Sequence, residues 1–286
     1  MISDITLGQF FPGFSTVHKL DPRTKILLSI LYIVCIFLAN NLAGFLLLTV
    51  FTLCLIPAAK ISMRVILRSI KPLILILLVT SLLNVFMTAG AGEPLFSWWI
   101  FTVYTEGLVR AAFMTVRVVL LIVGTSLFLT YTTSPIALTD GLEALLHPLT
   151  YIRVPVHVFS MMMSIALRFI PTLIEETEKI MNAQKSRGAD FSSGGLIKRA
   201  KALIPLLVPL FVSAFKRAEE LATAMECRCY RVDKKRTKLV KLTFHTRDLL
   251  WALLMLLLLG AVIALHVLPS HVVSEHPVYW IFFYSI

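Results

Sequence analysis

Ala183-Gln184-Lys185-Ser186-Arg187-Gly188-Ala189-Asp190 and Ala224-Met225-Glu226-Cys227-Arg228-Cys229-Tyr230 decide how this sequence is read. Each ends a helix-like run and carries an Ala and a Met shortly before its arginine. Both lie within residues 179–247, which hold 16 Lys or Arg against 5 Asp or Glu. That tract has a net charge of +11, equal to that of the whole chain, so the rest sums to zero. One basic helix end needs no explanation, because the helix dipole favours it. Two such ends in one tract point to a built projection. An arginine at a helix tip offers a forked, charge-assisted contact to a partner's carboxylate.

Outward from that tract the chain is greasy. Of its 286 residues 58% are hydrophobic and 15% charged, against about 25% charged in ordinary soluble domains. The composition is that of an integral membrane protein. The first seventeen residues contain Asp4 and no Lys or Arg. They lack the basic start of a cleaved signal peptide, so the mature chain is expected to begin here. Nothing resembles a disulfide framework among the four cysteines. A basic chain can suggest nucleic acid, but here the charge adjoins membrane spans. Anionic lipid or an acidic protein surface is the better partner.

Asp21 followed by Pro22 predicts a helix start. Residues 26–56 carry no charge and are interrupted by Asn40-Asn41. One helix of that length would overshoot a bilayer core of about 30 Å. Two short spans are predicted instead, at 26–40 and 42–57, with Pro57 ending the second. Lys60, Arg64, Arg68 and Lys71 form a basic connection before a third span at 72–89. Gly90-Ala91-Gly92-Glu93-Pro94 reads as a loop, and Trp98, Trp99 and Tyr104 as interfacial aromatics. A fourth span at 106–131 contains Arg110 and Arg117. Arg117 falls near mid-membrane, either as a contact between spans or on a shifted span from which it snorkels. A fifth span is predicted at 249–268.

The segments around 40, 90–105 and 269–286 contain no Lys or Arg. By the positive-inside rule the N-terminus and the basic region are cytoplasmic. Three regions follow: an N-terminal membrane domain of four spans (1–131), a cytoplasmic helical region (132–247), and a final span with an extracytoplasmic tail (248–286). The fold class is an all-α integral membrane protein with about five transmembrane helices and a cytoplasmic insert. Within the insert, acidic Glu175, Glu176 and Glu178 after Pro171 suit a helix start. Gly188 suits a helix end. A second helix is predicted from about 197, kinked at Pro205 and Pro209 and fraying at Tyr230. Its Ala214, Ala218 and Ala222 form a small-residue stripe over which another helix can cross. Met161, Met162 and Met163 read either as an adaptable partner surface or as a core face.

Phosphate-loop, zinc-protease and serine-hydrolase motifs are all absent from the sequence, so no nucleotide or catalytic site of those kinds is expected in this chain. His147, His157, His266, His271 and His276 read as loop and interfacial residues rather than a metal site. Cys227 and Cys229 have the spacing of a soft-metal pair, but no second pair lies near them. A self-sufficient secondary transporter or channel, using Arg117 and the polar residues around Asn84, is the rival reading. The sequence has no inverted repeat and few intramembrane acids to support it.

Four stretches together resemble the EcfT/CbiQ family, the transmembrane T components of energy-coupling factor (ECF) transporters, a branch of ABC importers. They are His18-Lys19-Leu20-Asp21-Pro22-Arg23-Thr24-Lys25, Leu167-Arg168-Phe169-Ile170-Pro171, and the two arginine stretches quoted first. The departures are Ser186, Cys227 and Cys229, where the family's motifs carry Ala, Ala and Gly. The resemblance implies a scaffold in a bacterial plasma membrane without a substrate pocket of its own. It implies three partners: two cytoplasmic ABC ATPases, which would bind the ATP and Mg, and a membrane-embedded S component that binds a vitamin or micronutrient. No cofactor is implied in this chain itself. Ser186-Arg187-Gly188 and Cys227-Arg228-Cys229 would be the tips of two crossed coupling helices, one in each ATPase. Met161, Met162 and Met163 would face the S component.

Overall fold

The structure, a computed structural model, describes residues 10–87, 96–98, 101–189, 191, 195–231 and 242–272. The chain's first residues, the 90–94 loop, Trp99, Ser192-Ser193-Gly194, Lys234-Lys235-Arg236 and the tail with His276 lie outside the described residues. The described residues form two compact units, one within 10–141 and 242–272, the other within 142–231.

The larger unit is built from α1 (Pro22–Leu38), α2 (Leu42–Ala59), α3 (Met63–Ile70), α4 (Ile74–Met87), α5 (Thr105–Thr125) and α9 (Thr246–Val272). α1 starts where its capping residues require. Asp21 accepts the Arg23 N–H at 2.9 Å, and Pro22 occupies the first turn, where its missing N–H is not needed. The chain breaks at the asparagines. Asn41 does not cap α2 with its side chain but donates to the Leu265 carbonyl at 2.7 Å, tying the break to α9. α2 runs through Pro57 and ends at Lys60 in the left-handed conformation, φ 55°. The proline therefore sits inside the last turn and does not terminate it.

The basic connection predicted before the third span is itself helical. Met63–Met87 is one 25-residue stretch, α3 passing through the short 3₁₀ turn Lys71–Leu73 into α4. Pro72 lies at the start of that turn, a position that tolerates it. Before α5 the chain makes a short antiparallel hairpin, β1 (Phe96–Trp98) with β2 (Phe101–Val103), Phe96 opposite Val103. Three-residue strands carry too little periodicity to be seen in the sequence. α5 continues through a π-helical turn, Ser126–Thr130, that keeps Leu127 and Phe128 fully buried.

Tyr32 is the centre of this unit's core. Fully buried, it contacts the rings of Phe51 and Phe128. Its hydroxyl pairs with Thr52 Oγ1 at 2.7 Å and donates to the Leu120 carbonyl at 3.2 Å. A buried hydroxyl needs such partners. The ring lies so close to α5 that a Cβ on Gly124 would stand 2.0 Å from it. Glycine is required there by approach, not by backbone angle.

A second cluster is polar. Lys25, 2% exposed, donates to the carbonyls of Thr132 at 2.7 Å and His18 at 3.2 Å. Asp248, at the start of α9, accepts the Asp21 N–H at 2.9 Å and the His245 N–H at 2.8 Å. The segment from His18 to Lys25 thus fastens the start of α1 to the start of α9 and to the chain after α5. Arg117 makes a third polar link. It donates to the Ala39 carbonyl at 2.9 Å and to Asn40 Oδ1 at 3.2 Å, and lies 5.3 Å from the Phe45 ring centroid. A cation at the exposed carbonyls that end α1 is well placed. Of the two readings of Arg117, the contact between spans is the one observed.

The smaller unit holds the 3₁₀ turn His147–Ile152, α7 (Val156–Ser186) and α8 (Leu196–Cys227); α6 (Pro135–Leu146) runs across the boundary between the units. α7 is one helix through Pro171, so the acidic cluster after that proline lies mid-helix rather than at a start. α8 likewise runs unbroken through Pro205 and Pro209.

Among the described residues, five helices are long and apolar enough to cross a membrane: α2, the α3–α4 stretch, α5, α7 and α9. The chain is an all-α membrane protein. The number matches the expectation, but the membership differs. α7, assigned to the insert from the sequence, meets the criterion of length and composition. α1 has 17 residues and about 26 Å of rise, at the short end for a span.

Candidate partner-docking tips on two long helices

The two arginine triplets fold into the same structure. In α7, Arg187 is the C-cap, with φ −88° and ψ 8°; in α8, Arg228 is the C-cap, with φ −88° and ψ 11°. The residue after each arginine is left-handed, Gly188 at φ 85° and Cys229 at φ 55°. The closing hydrogen bonds correspond one to one. Gly188 N–H donates to Lys185 O at 2.9 Å and Ala189 N–H to Gln184 O at 3.0 Å. Cys229 N–H donates to Glu226 O at 2.8 Å and Tyr230 N–H to Met225 O at 3.0 Å. Both ends are Schellman motifs, which turn the chain sharply off the helix and leave the capping side chain at the tip.

Arg187 and Arg228 are exposed, and neither has an ion-pair partner among the described residues. Ser186 and Cys227 occupy the last helical positions, and Cys227 and Cys229 are free exposed thiols. The cysteines therefore do not change the shape of the second tip. Cys229 holds the left-handed angle that Gly188 holds in the first, with the steric cost of a Cβ.

α7 and α8 meet at a polar clasp that the sequence did not single out. The Glu176 carboxylate accepts Arg217 Nη2 at 2.8 Å through one oxygen and the Ser213 hydroxyl through the other. Ser213 and Arg217 are one turn apart, so they present both donors on one face of α8. Glu176 precedes Arg187 by eleven residues, and Arg217 precedes Arg228 by the same eleven. Each tip therefore projects about 16 Å beyond the clasp. A carboxylate and a guanidinium at equal distance before the two triplets was the signal available in the sequence.

Of the proposed crossing stripe, Ala214 is half-buried while Ala218 and Ala222 are exposed. Met161 is half-buried, and Met162 and Met163 are exposed. On α8, Ile204, Leu207, Val208, Phe211 and Phe215 are exposed as well. Among the described residues, no group of three His, Cys, Asp or Glu side chains is placed to hold a metal ion.

A family model described as cobalt transport protein, CbiQ, matches residues 13–239. The energy-coupling factor transporter transmembrane protein EcfT of Clostridium kluyveri is 55% identical over 258 residues, which covers 90% of this chain and 95% of that protein. The protein of the same name from Acidaminococcus fermentans is 52% identical over 258 residues, again 90% and 95%. That from Bacillus subtilis is 49% identical over 248 residues, 87% and 93%. With a family match across most of its length and relatives near half identity end to end, the chain belongs to the EcfT/CbiQ family of energy-coupling factor transporter transmembrane proteins.

Proposed function

We propose that this chain is the coupling scaffold of an ECF-type importer in a bacterial plasma membrane. It joins two cytoplasmic ABC ATPases to a membrane-embedded S component that binds a vitamin or micronutrient. ATP and Mg are bound by the ATPases, not by this chain. The observation that carries the reading is the pair of superposable tips, each ending in an exposed arginine. Two ATPase subunits of the same kind would present two like sockets, and two tips of equal geometry fit a pair of like sockets. The relatives from Clostridium kluyveri and Bacillus subtilis are transmembrane proteins of energy-coupling factor transporters.

In this reading the N-terminus and the two arginine tips face the cytoplasm, in keeping with the distribution of Lys and Arg. The exposed Met162, Met163 and apolar face of α8 are available for the S component. Closure of the ATPases on ATP moves Arg187 and Arg228, and the Glu176–Arg217 clasp makes the two helices move as one body. Motion at the tips is thereby delivered to the S component.

The test is an Arg187→Ala/Arg228→Ala double variant in the assembled transporter. Removing one side of a desolvated charge contact costs roughly 3–5 kcal/mol per site. Vitamin uptake should fall to background, with ATPase subunits lost on co-purification or hydrolysing ATP without transport. Uptake at the wild-type rate would reject the assignment of the tips.

A further inference from the structure

In the larger unit, α3 carries three exposed cations, Arg64, Arg68 and Lys71, that the two arginine tips leave without a role. The backbone stays helical through Lys71, whose N–H donates to Leu67 O. At about 100° per residue the three cations therefore share an arc of roughly 60°. On the opposite side Ile66 is buried in the core, with Val65 and Ile70 packed against it. Met63 and Leu67 border the cations and are exposed as well.

The arc has no counter-charge of its own. The sequence contains no Asp or Glu between Pro22 and Gly92. None of the three cations has an ion-pair partner among the described residues. α3 meets the far end of α5, where Ser69 bonds to the Tyr131 hydroxyl. The one acid of α5, Glu106, lies in its first turn, about 35 Å of helix away. Fixing the topology of a membrane protein takes cations in sufficient number, whichever way they point. Three that point one way, with nothing in the chain to meet them, call for an anionic surface outside it.

The arc also lies at the right depth for a membrane surface. α3 runs through the turn Lys71–Leu73 into α4, where Ile74, Leu75, Ile76 and Leu78 are exposed as a lipid-facing surface. From Arg64 to Lys71 is about 10 Å of helix. The headgroup layer adds about 5–8 Å to each side of the hydrocarbon core, and the long stems of Arg and Lys reach across the remainder. Exposed Met63 and Leu67 beside the cations favour a leaflet over an acidic protein, because a leaflet offers hydrocarbon next to phosphate.

We propose that α3 is a docking helix for anionic phospholipid. Arg64, Arg68 and Lys71 hold headgroup phosphates of the leaflet beside α4, and Met63 and Leu67 lie toward the acyl chains. The site rests on no assumption about the coupling function.

The test is native mass spectrometry of the full-length chain in detergent, with equal amounts of palmitoyl-oleoyl phosphatidylglycerol and the matching phosphatidylcholine. Phosphatidylglycerol should be retained in preference by at least fivefold, the worth of about one cation near an anionic headgroup, and by less as salt is raised. Arg64→Gln/Arg68→Gln/Lys71→Gln should cut the preference about fivefold or more. Lys201→Gln/Lys216→Gln/Arg231→Gln, which removes as many exposed cations from the smaller unit, should leave it unchanged. Arg64→Lys/Arg68→Lys should keep it, because a headgroup needs charge alone, whereas a forked contact with a protein carboxylate would not survive the exchange. Equal retention of the two lipids by the wild type, a preference that survives the first triple variant, the same loss in both triple variants, or loss in the lysine variant would each overturn the proposal.

Discussion

The two units are stabilised in different ways. In the larger one, Tyr32, Cys35, Ile36, Leu48, Leu127, Phe128 and Met255 are shut off from the surface entirely, and polar clusters around Lys25 and Arg117 tie its helices together. In the smaller one, only Val156, Ser160 and Leu206 are buried among the described residues. Its two helices, of 31 and 32 residues, are defined by their caps and by one clasp. The first unit holds its shape by its own packing. The second presents most of its apolar surface, and a helix pair of that kind is completed by what covers it. The function proposed for each unit follows the same division, a fixed frame and a moving connector.

The largest effect should come from filling space in the frame. Gly124→Ala would put a methyl 2.0 Å from the Tyr32 ring, with Phe128 and Phe51 blocking the ring's retreat. The Tyr32 bonds to Thr52 and Leu120 would break with it. The expected loss is roughly 3 kcal/mol or more, at the top of the range for overpacked cores. Thermal unfolding in detergent reads it as a large fall in midpoint or as aggregated protein. An unaffected midpoint would mean that the frame is not packed around Tyr32.

A smaller effect is expected at the clasp. Glu176→Gln and Arg217→Gln each remove the charge pair, while Glu176→Arg with Arg217→Glu restores it in reverse. The pair is partly exposed, so its coupling energy should be about 1 kcal/mol. In the frame such a change would be negligible beside Gly124→Ala. In the connector it removes the one described ion pair between α7 and α8, so transport should fall further than stability does. The swapped pair should recover transport. If the swap transports no better than the single variants, the clasp does not hold the two arms together.

What the sequence made legible divides along the same line. Features of a single helix were readable. The Asp21-Pro22 start, the break at Asn40-Asn41, and the ends at Arg187 and Arg228 follow from local chemistry, which a short window contains. Where a local rule was overruled, tertiary context did it. Pro57 sits inside α2 because the turn around it is held by buried Leu55, Ile56 and Ala59, and the basic stretch from Arg64 to Lys71 is helical because α3 packs Ile66 into the core. Contacts across hundreds of residues left no local trace. Asp21 to Asp248 and Asn41 to Leu265 join the two ends of the chain. The Glu176–Arg217 clasp was hidden for the same reason. Glu176 looked like one of several acids after a proline, and only its distance from Arg187, repeated from Arg217 to Arg228, marked it.

The smallest effect separates the two tips from each other. Their geometry is shared, but Gly188 adopts its left-handed angle freely, whereas Cys229 does so with a side chain. Placing a Cβ in that region costs roughly 1–2 kcal/mol, while glycine gives back about 0.5–1 kcal/mol through the greater freedom of the unfolded chain. Gly188→Ala should therefore destabilise the first tip by about 1 kcal/mol, and Cys229→Gly should stabilise the second by somewhat less. Hydrogen exchange at the amides of residues 188–189 and 229–230 reads both changes locally, as faster exchange in the first variant and slower in the second. Neither touches an arginine, so any change in transport reports tip rigidity rather than lost charge. Shifts of the same sign at both tips would show that cysteine carries no backbone strain at position 229. The likeness of the two Schellman ends would then not extend to their energetics.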